Sequence, residues 1–385
     1  MLTSNINLIN FRTKIKINSQ KIRQKLNLII KENSHVIESL GINYRNSYKK
    51  KFLKKYNQSK NFRIIGMGGS ILGAHTIYQF LKDKIKKKFS FVDNLKISQK
   101  KNRKKLYTNL VISKSGNTIE TIVNLNILIK KKERNIFITE NKENHLRFLA
   151  EKLKAEIIDH NNYIGGRYSV LSEVGMLPAD LMGLNSNNFK QFNSLIKNKK
   201  FINSLISNVS STLYFIKKKK FNSVIINYDE KSENLFKWYQ QLIAESLGKK
   251  KQGLLPIVSN MPKDNHSVMQ LYLDGFENNF FTIFYTHENR SEKINNYFLP
   301  VQKYLKNKNV SNILFAQKKA SENVFRKKNI PFRSFEIKKR DEKTLGELFC
   351  FFILETILIG KSMNLNPYDQ PAVELIKQET KKLLI

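Results

Sequence analysis

The chain has 385 residues, of which 41% are hydrophobic, and its 69 Lys and Arg against 31 Asp and Glu give a formal net charge of +38. This composition excludes a disordered chain, and the length predicts two or three packed domains. The single cysteine, Cys350, excludes a disulfide framework, no secretory signal is evident, and no apolar run is long enough to cross a bilayer, so we expect a soluble cytoplasmic protein.

The first part of the chain predicts helices and then an alternation of strands and helices. Residues 1–58 are mostly helical in pattern, a helix is predicted at residues 70–85, and another begins near Asn117. Because parallel strands need crossover connections, this alternation indicates a mostly parallel sheet. The predicted strands are FRIIGMG (62–68), FSFVD (89–93), NLVISKS (109–115) and NIFITE (135–140).

A second alternation follows a helical stretch at about residues 187–219. Helices are predicted at residues 233–248 and 341–360, and Pro371 suits the first turn of a last helix. The predicted strands are FNSVIINY (221–228), GLLPIVS (253–259), FFTIFYT (280–286) and NIPFRSFEI (329–337). We therefore expect an α/β fold with two mostly parallel central sheets flanked by helices, plus terminal helices. The expected divisions are an N-terminal region (1–58), two α/β subdomains (59–186 and 187–362) and a C-terminal helix (363–385).

The positive charge raises the possibility of a nucleic acid or an acidic lipid surface as partner. The lysines, however, are scattered in short clusters such as residues 84–88 and 217–220, which stand at predicted helix ends or just before strands. No RNA-binding signature or zinc-knuckle spacing accompanies them. A general drift of composition toward Lys, Asn and Ile explains the charge without any partner, so we expect no specific nucleic acid and no membrane.

Two turns lie where open parallel sheets bind ligands, at the carboxyl ends of strands. In GMGGS (66–70), glycines such as Gly69 let the backbone approach a ligand, and Ser70 offers a hydroxyl and an amide at the start of a helix. SKSGNT (113–118) supplies hydroxyl groups beside a helix N-terminus, where the helix dipole favours an anion. These hydroxyl groups belong to Ser113, Ser115 and Thr118.

A plain helix start explains either turn alone equally well. Asn117 and Glu120 have the spacing of a capping box, and neither turn matches a dinucleotide fingerprint or a P-loop in full. Two such turns in one sheet nevertheless favour phosphate binding. Because the Walker lysine position is missing, a phosphate monoester is a better candidate than a nucleotide.

Downstream segments carry possible catalytic groups. Arg167 follows two glycines and could reach a negatively charged ligand, although an ordinary surface arginine explains it better on its own. Gln241 and Glu245 share a helix face. The C-terminal end of that helix disfavours the charged form of Glu245, and such a glutamate suits a general base. Most helix glutamates, however, are merely solvated. His266 lies in a polar turn and is an acid–base candidate. Composition does not single out Lys377.

Taken together and in order, these segments resemble the glucose-6-phosphate isomerase family. Glycine–serine turns alone would mark only the wider sugar-isomerase (SIS) fold, whereas the later segments are more specific. The resemblance implies two SIS-type subdomains and the interconversion of glucose 6-phosphate and fructose 6-phosphate through a cis-enediol, with neither cofactor nor metal. The matching segments are GMGGSILG, SKSGNTIET, GGRYSV, ESLGK, NHSVMQL and QPAVELIK, between residues 66 and 377.

The resemblance also implies roles for individual residues. Glu245 matches the base that moves a proton between C2 and C1, and Arg167 matches the group that stabilises the negative charge of the intermediate. His266 and Lys377 match groups that open the sugar ring, and the family pattern implies a homodimer in which the site uses His266 of the partner subunit. Positions that match substrate or phosphate contacts are Gly69, Ser70, Ser113, Lys114, Ser115, Thr118, Glu120, Gln241 and Gln370.

The chain departs from the family pattern at a few positions. Leu247 replaces a usual asparagine, which puts the polar support of Glu245 in question, and Ala372 and Ile376 replace glycines near Lys377. No matched catalytic position is lost, so we expect an active enzyme. The alternatives are a dual isomerase that also accepts mannose 6-phosphate, a non-catalytic sugar-phosphate-binding protein, and a nucleic-acid binder, which would not need the glycine turns.

Overall fold

The structure, a computed structural model, describes residues 2–12, 18–97, 105–288, 290–299 and 301–385. Within these residues the strands form two five-stranded sheets. The strands are β1 (Ile6–Ile9), β2 (Asn61–Gly66), β3 (Lys88–Val92), β4 (Thr108–Ile112), β5 (Arg134–Glu140), β6 (Glu156–His160), β7 (Asn222–Asn227), β8 (Leu255–Asn260), β9 (Asn279–Thr286) and β10 (Phe332–Ile337).

Helices flank the sheets, and a helix ends the described chain. They are α1 (Ser19–Glu32), α2 (His35–Ser39), α3 (Lys50–Leu53), α4 (Leu72–Phe80), α5 (Ile119–Leu128), α6 (His145–Lys152), α7 (Glu173–Leu181), α8 (Phe192–Leu195), α9 (Lys199–Lys217), α10 (Glu233–Leu247), α11 (Met269–Asp274), α12 (Val310–Lys327), α13 (Glu342–Ser362) and α14 (Val373–Leu383). Among the described residues, no helix is both long enough and apolar enough to span a membrane.

The first sheet is fully parallel and has the strand order β3-β2-β4-β5-β6. The chain leaves β2 toward β3 on one side and returns to β4 on the other side. Open α/β sheets bind ligands at such a switch point, where the loops after two neighbouring strands diverge and leave a crevice. The loops after β2 and β4 therefore frame the candidate site.

The second sheet has the order β1-β10-β9-β7-β8 and repeats this plan, with β7 between β8 and β9. The strands β7 to β10 are parallel, whereas β1 pairs antiparallel with β10. The sequence predicts a mostly helical region at residues 1–58. Helices α1 to α3 do fall there, but β1 is an unpredicted strand, and it belongs to the second sheet.

A shared core joins the two sheets. Helix α13 is buried at every position from Thr344 to Gly360 and packs against α9 and α10, and α10 also packs against α4 of the first sheet. On α10, apolar residues such as Phe236 and Leu242 are buried, while Gln241 and Glu245 are only half-buried at the border of the buried face. This packing holds the end of α10 beside the switch point of the first sheet.

The predicted fold class is confirmed: the chain is α/β, with two mostly parallel central sheets flanked by helices and with additional terminal helices. The predicted strands all exist, and the helices predicted at residues 233–248 and 341–360 correspond to α10 and α13. Besides β1, the structure adds five elements that the sequence pattern does not predict, namely β6, α6, α7, α11 and α12.

Candidate active site

The two turns that we expect to bind phosphate lie side by side. Strands β2 and β4 are neighbours whose register pairs Gly66 with Ile112, so both turns leave the sheet at the same edge. In the second turn the hydroxyl oxygens of Ser113 and Thr118 lie 2.9 Å apart, while Ser115 is exposed. The fold thus brings together two sets of backbone amides and hydroxyl groups at the switch point.

The start of α5 is not closed by a capping box. Thr118 is the N-cap residue, and its side chain makes no capping hydrogen bond. The side chain of Asn117 turns elsewhere, because its Oδ1 accepts the backbone N–H of His145 at 3.1 Å. The explanation of this turn as a cap formed by Asn117 and Glu120 is therefore wrong. The first-turn amides of α5 can instead bind an anion, which the helix dipole favours.

Lys114 adds a positive charge to this turn. Its Nζ donates to the backbone carbonyl of Asn162 at 2.7 Å and lies 3.4 Å from Glu140 Oε1. The Lys114 side chain is 30% exposed, so it is held by these two contacts without being fully buried. One lysine therefore connects the candidate phosphate turn to the loop that leads to Arg167.

Arg167 is not a surface arginine, because its side chain is only 1% exposed. Its Nε donates to Ser246 Oγ at 2.8 Å, and its Nη1 donates to Gln370 Oε1 at 2.7 Å and to Glu245 Oε2 at 3.2 Å. A guanidinium held on several sides in this way has a fixed orientation. Arg167 thereby joins the end of α10 to the segment before α14.

The same guanidinium orders the C-terminal segment. Arg167 Nη2 donates to the carbonyl oxygens of Pro367 at 2.6 Å and Asp369 at 3.0 Å. Lys249, just after α10, lies 2.8 Å from Asp369 Oδ1 and also donates to the carbonyl of Asn366. These contacts fix the backbone immediately before Gln370.

The glycines of the first turn permit a close approach between backbones. A Cβ at Gly69 would lie 2.1 Å from the carbonyl carbon of Gly166 and 2.5 Å from the nitrogen of Arg167. Gly68 adopts a left-handed φ of +53°, and a Cβ there would lie 2.7 Å from Gln241 Nε2. The sequence predicts that these glycines let the backbone approach a ligand, whereas the close approaches in the structure are to the Arg167 segment and to Gln241.

Glu245 lies where these elements meet. Its Oε1 accepts Gln241 Nε2 at 2.9 Å and its Oε2 accepts Arg167, while its side chain stays 28% exposed. A cleft of about 780 Å³ opens beside it, between the end of α10 and residues 365–373, and Gln370 also lines it. This volume suits a small organic ligand. A carboxylate oriented by two donors next to such a cleft can act as a general base.

Leu247 does not weaken this arrangement. Its side chain is fully buried in the core and lies close to Gly360 of α13, where an added Cβ would be 3.3 Å from Leu247 Cδ2. The polar support of Glu245 comes from Gln241 and Arg167 instead. The leucine at this position serves packing between α10 and α13.

Within one chain, the described contacts of His266 and Lys377 do not include Glu245. His266 ends a short 3-10 helix (Lys263–His266) and is exposed. Lys377 lies on α14, which buries no residue, and its Nζ pairs with Glu374 Oε1 at 2.6 Å. The roles expected for these two residues are therefore not provided by contacts within one subunit.

Comparison with known proteins decides the family. The sequence model of the phosphoglucose isomerase family matches residues 50–260. A glucose-6-phosphate isomerase of Methanocaldococcus jannaschii is 32% identical over 343 residues, which cover 83% of this chain and 83% of that protein. The chain belongs to the phosphoglucose isomerase family.

Solved structures share the fold over nearly the whole chain. A protein of Thermus thermophilus aligns with a TM-score of 0.81 at 22% identity, covering 95% of this chain and 94% of its own. A glucose-6-phosphate isomerase of Chlamydia trachomatis aligns with a TM-score of 0.77 at 15% identity, covering 99% of this chain and 89% of its own. At these identities the likeness concerns the fold.

Within this phosphoglucose isomerase fold, sequence reasoning misses several residues that build the site. Ser246 and Lys249 stand inside the matching segment ESLGK, and that position in the motif was the available signal. Trp238 Nε1 donates to the Arg167 carbonyl at 3.0 Å, and Tyr168 OH lies 2.8 Å from Ser246 Oγ. Nothing in the sequence indicates those two contacts. Among the described residues, no group of three or more His, Cys, Asp and Glu is placed to hold a metal ion.

Proposed function

We propose that this chain is an aldose–ketose isomerase that interconverts glucose 6-phosphate and fructose 6-phosphate. The observation that carries the proposal is the contact between Glu245 and the buried guanidinium of Arg167 beside the cleft, in a chain of the phosphoglucose isomerase family. The reaction moves hydrogen between neighbouring carbons and leaves the net oxidation state of the sugar unchanged. It therefore needs no redox cofactor.

The substrate phosphate is assigned to the turn of residues 113–118, with Lys114 and the α5 amides as donors. Ser70 and Ser115 complete the contacts at this end, Gln370 contacts the sugar, and Glu120 is assigned to another position of the active site. Binding energy at the phosphate orients an open-chain sugar and offsets the entropy that ordering it costs. The phosphate is thus the part of the substrate that carries affinity, at a distance from the reacting carbons.

Glu245 is assigned as the base. Its carboxylate takes the proton from C2 of the aldose, and the electron pair left behind forms the C1–C2 double bond of a cis-enediol. Arg167 stabilises the negative charge that develops on the neighbouring oxygen, because a fixed guanidinium needs no reorientation during the reaction. The ketose forms when the abstracted proton returns to C1 while a proton passes from the C2 hydroxyl to the oxygen on C1, so that C2 becomes the carbonyl carbon. Gln241 keeps the carboxylate in place through its 2.9 Å hydrogen bond.

Ring opening is assigned to His266 and Lys377. His266 is exposed, which is compatible with a homodimer in which each site receives His266 of the partner subunit. Val373, which stands four residues before Lys377 on the same face of α14, lines the cleft beside Glu245. In the proposed reaction α14 moves onto the cleft and brings the ammonium group of Lys377 to the sugar.

A coupled assay of fructose 6-phosphate conversion with purified protein tests the proposal. Glu245→Gln should lower kcat by about 10²–10⁴-fold, which is the usual contribution of a general base, and should change KM little because the phosphate contacts remain. Glu233→Gln is the matched control. Glu233 lies on the same helix but pairs with Lys237 at its solvent-exposed start, so its replacement should leave kcat unchanged.

The outcomes separate the function from the role of the base. No turnover by the unmodified protein overturns the proposed function. Full activity of Glu245→Gln leaves the function standing and overturns the assignment of the base. Mannose 6-phosphate in the same assay shows whether the C2 epimer is also a substrate.

A further inference from the structure

A buried carboxylate lies outside the proposed site and holds the loop that serves it. Glu173 is the first residue of α7 and is 1% exposed. Its Oε2 accepts the hydroxyl of Tyr44 at 2.9 Å, and its Oε1 accepts the backbone N–H of Asn161 at 2.8 Å. His160 Nδ1 lies 3.8 Å from the same Oε1. Glu173 has no part in the proposed reaction steps.

The neighbours of Glu173 are suited to hydrogen bonding with a carboxylate. Burial and the charge of Glu173 raise the pKa of Tyr44 well above its ordinary value, so its hydroxyl stays protonated and donates. Burial lowers the pKa of His160. A neutral imidazole can donate from Nδ1 to the Asn161 carbonyl, 2.9 Å away, because the choice of tautomer leaves one ring N–H. Both polar groups of the Asn161 backbone are therefore fixed.

Residues 161–167, here termed the arginine loop, run from Asn161 to Arg167. The loop contacts the phosphate turn directly, because the carbonyl of Asn162 accepts Lys114 Nζ at 2.7 Å. Glu173 follows the loop in sequence, and its carboxylate accepts a hydrogen bond from Asn161, the first residue of the loop. This hydrogen bond holds the two ends of the loop close together. The residue next to the anchored amide is thus the one that holds Lys114.

We propose that Glu173 is a positioning residue for the substrate phosphate, acting on Lys114 through Asn161 and Asn162. This inference rests on the proposed function, because it takes Lys114 as a phosphate ligand. Arg167 depends less on the anchor, since its own guanidinium is held by α10 and the C-terminal segment. Loss of Glu173 should therefore weaken phosphate binding more than it slows catalysis.

The same helix offers a matched control. Asp180, near the other end of α7, accepts the hydroxyl of Tyr48 at 2.7 Å and the backbone N–H of Ser186 at 3.1 Å. It therefore repeats the pairing of a carboxylate with a tyrosine and an amide, but its side chain hydrogen-bonds to Tyr48 and Ser186 and not to the arginine loop. A purely structural role of such a cluster is common to Asp180 and Glu173, whereas a role in phosphate binding belongs to Glu173 alone.

The experiment measures the Kd of inorganic phosphate by calorimetry at constant ionic strength, together with KM and kcat for fructose 6-phosphate and the thermal unfolding of each variant. Glu173→Ala should raise the Kd and KM at least about fivefold and change kcat less than about twofold. Glu173→Gln keeps an acceptor for the Asn161 amide and should restore both values. Asp180→Ala should lower the unfolding temperature and leave both values unchanged.

A double-mutant cycle tests the route of the effect. In a Lys114→Ala background, Glu173→Ala should weaken phosphate binding no further. Additive losses, an unchanged Kd in Glu173→Ala, or an equal loss in Asp180→Ala would each overturn the proposal.

A second pair of variants, at Tyr44 and Tyr48, tests the same proposal. If Glu173→Ala does not fold, Tyr44→Phe can replace it, because it removes one hydrogen bond to the same carboxylate and should raise the Kd. Tyr48→Phe should leave the Kd unchanged. Equal effects of the two tyrosine variants would overturn the proposal. The Kd of inorganic phosphate needs no turnover. An inactive protein would therefore overturn the proposed isomerase function and still allow the role of Glu173 to be judged.

Discussion

Replacing Gly69 by alanine tests the contact between the first turn and the Arg167 segment. An added Cβ would lie 2.1 Å from the carbonyl carbon of Gly166, 2.2 Å from its oxygen and 2.5 Å from the nitrogen of Arg167. Ordinary van der Waals contact begins at 3.4 Å, so the two backbones must separate by about 1.3 Å, the difference between 3.4 and 2.1 Å. No flexible side chain can absorb this shift, because all three atoms belong to the backbone.

The displacement moves Arg167 relative to Glu245. Misplacing a catalytic group by about 1 Å can cost about 10²-fold in rate, so we expect Gly69→Ala to lower kcat by about this factor. Overpacking should also destabilise the fold by about 1–3 kcal/mol, which a typical domain tolerates. The assay measures kcat in the fructose 6-phosphate reaction, and circular dichroism shows that the variant is folded.

Gly165→Ala is the control for this prediction. A Cβ at Gly165 would come no closer than 3.8 Å to Tyr168 Cδ2 and the Tyr368 carbonyl, and its backbone φ of −66° suits any residue. Its kcat should stay within about twofold of the unmodified protein. A normal kcat in Gly69→Ala, or an equal loss in Gly165→Ala, would refute the reasoning.

Two further predictions concern stability. Glu355→Ala should lower the free energy of unfolding by about 3–5 kcal/mol, because it leaves the buried guanidinium of Arg333, whose Nη2 donates to Glu355 Oε2 at 3.0 Å, without its carboxylate partner. Guanidinium denaturation measures this loss of unfolding free energy. The double replacement Arg333→Met with Glu355→Leu should lose less unfolding free energy than Glu355→Ala. A larger loss in the double variant would contradict the explanation. Burial alone would raise the pKa of Glu336, but hydrogen bonds from His287 and Lys318 lower it to about 2. The stabilising effect of Glu336 is therefore complete above its ordinary pKa of 4.5 and is lost as the pH falls toward 2. The stability gap, which is the difference in unfolding free energy between the unmodified protein and Glu336→Gln, should therefore shrink when urea titrations are made at lower pH. A gap that does not change with pH would exclude this role.

The sequence predicts most of the fold because its strands are short, apolar and bounded by polar turns. It does not predict α12, since two of the three residues that this helix buries are Lys318 and Glu322. Lys318 lies 2.6 Å from Glu322 and 2.9 Å from Glu336. The second positive charge that balances these two glutamates comes from Lys319, 3.5 Å from Glu322. A pattern of apolar and polar residues does not reveal a buried face whose charges are paired across elements.

The candidate site is predictable to a different degree. The resemblance to a family selects Arg167, Glu245, Gln241 and Gln370, and the fold brings these four together. Residue spacing alone favours a surface position for Arg167, because its burial depends on partners far away in the chain. Glu173 escapes sequence reasoning for the same reason, since its hydrogen-bond partners come from Tyr44 and from the loop before α7.

The pairing of β1 with β10 has a consequence for how the chain is synthesised. Ile6 leaves the ribosome long before its partner, Ile337, which is translated only after the whole first sheet and most of the second. Strand β1 therefore stays unpaired during most of synthesis, and the free edge of β10 is paired only late. A polypeptide divided between the two sheets would leave this edge open to pairing with other molecules, which makes aggregation the expected fate of the separated halves.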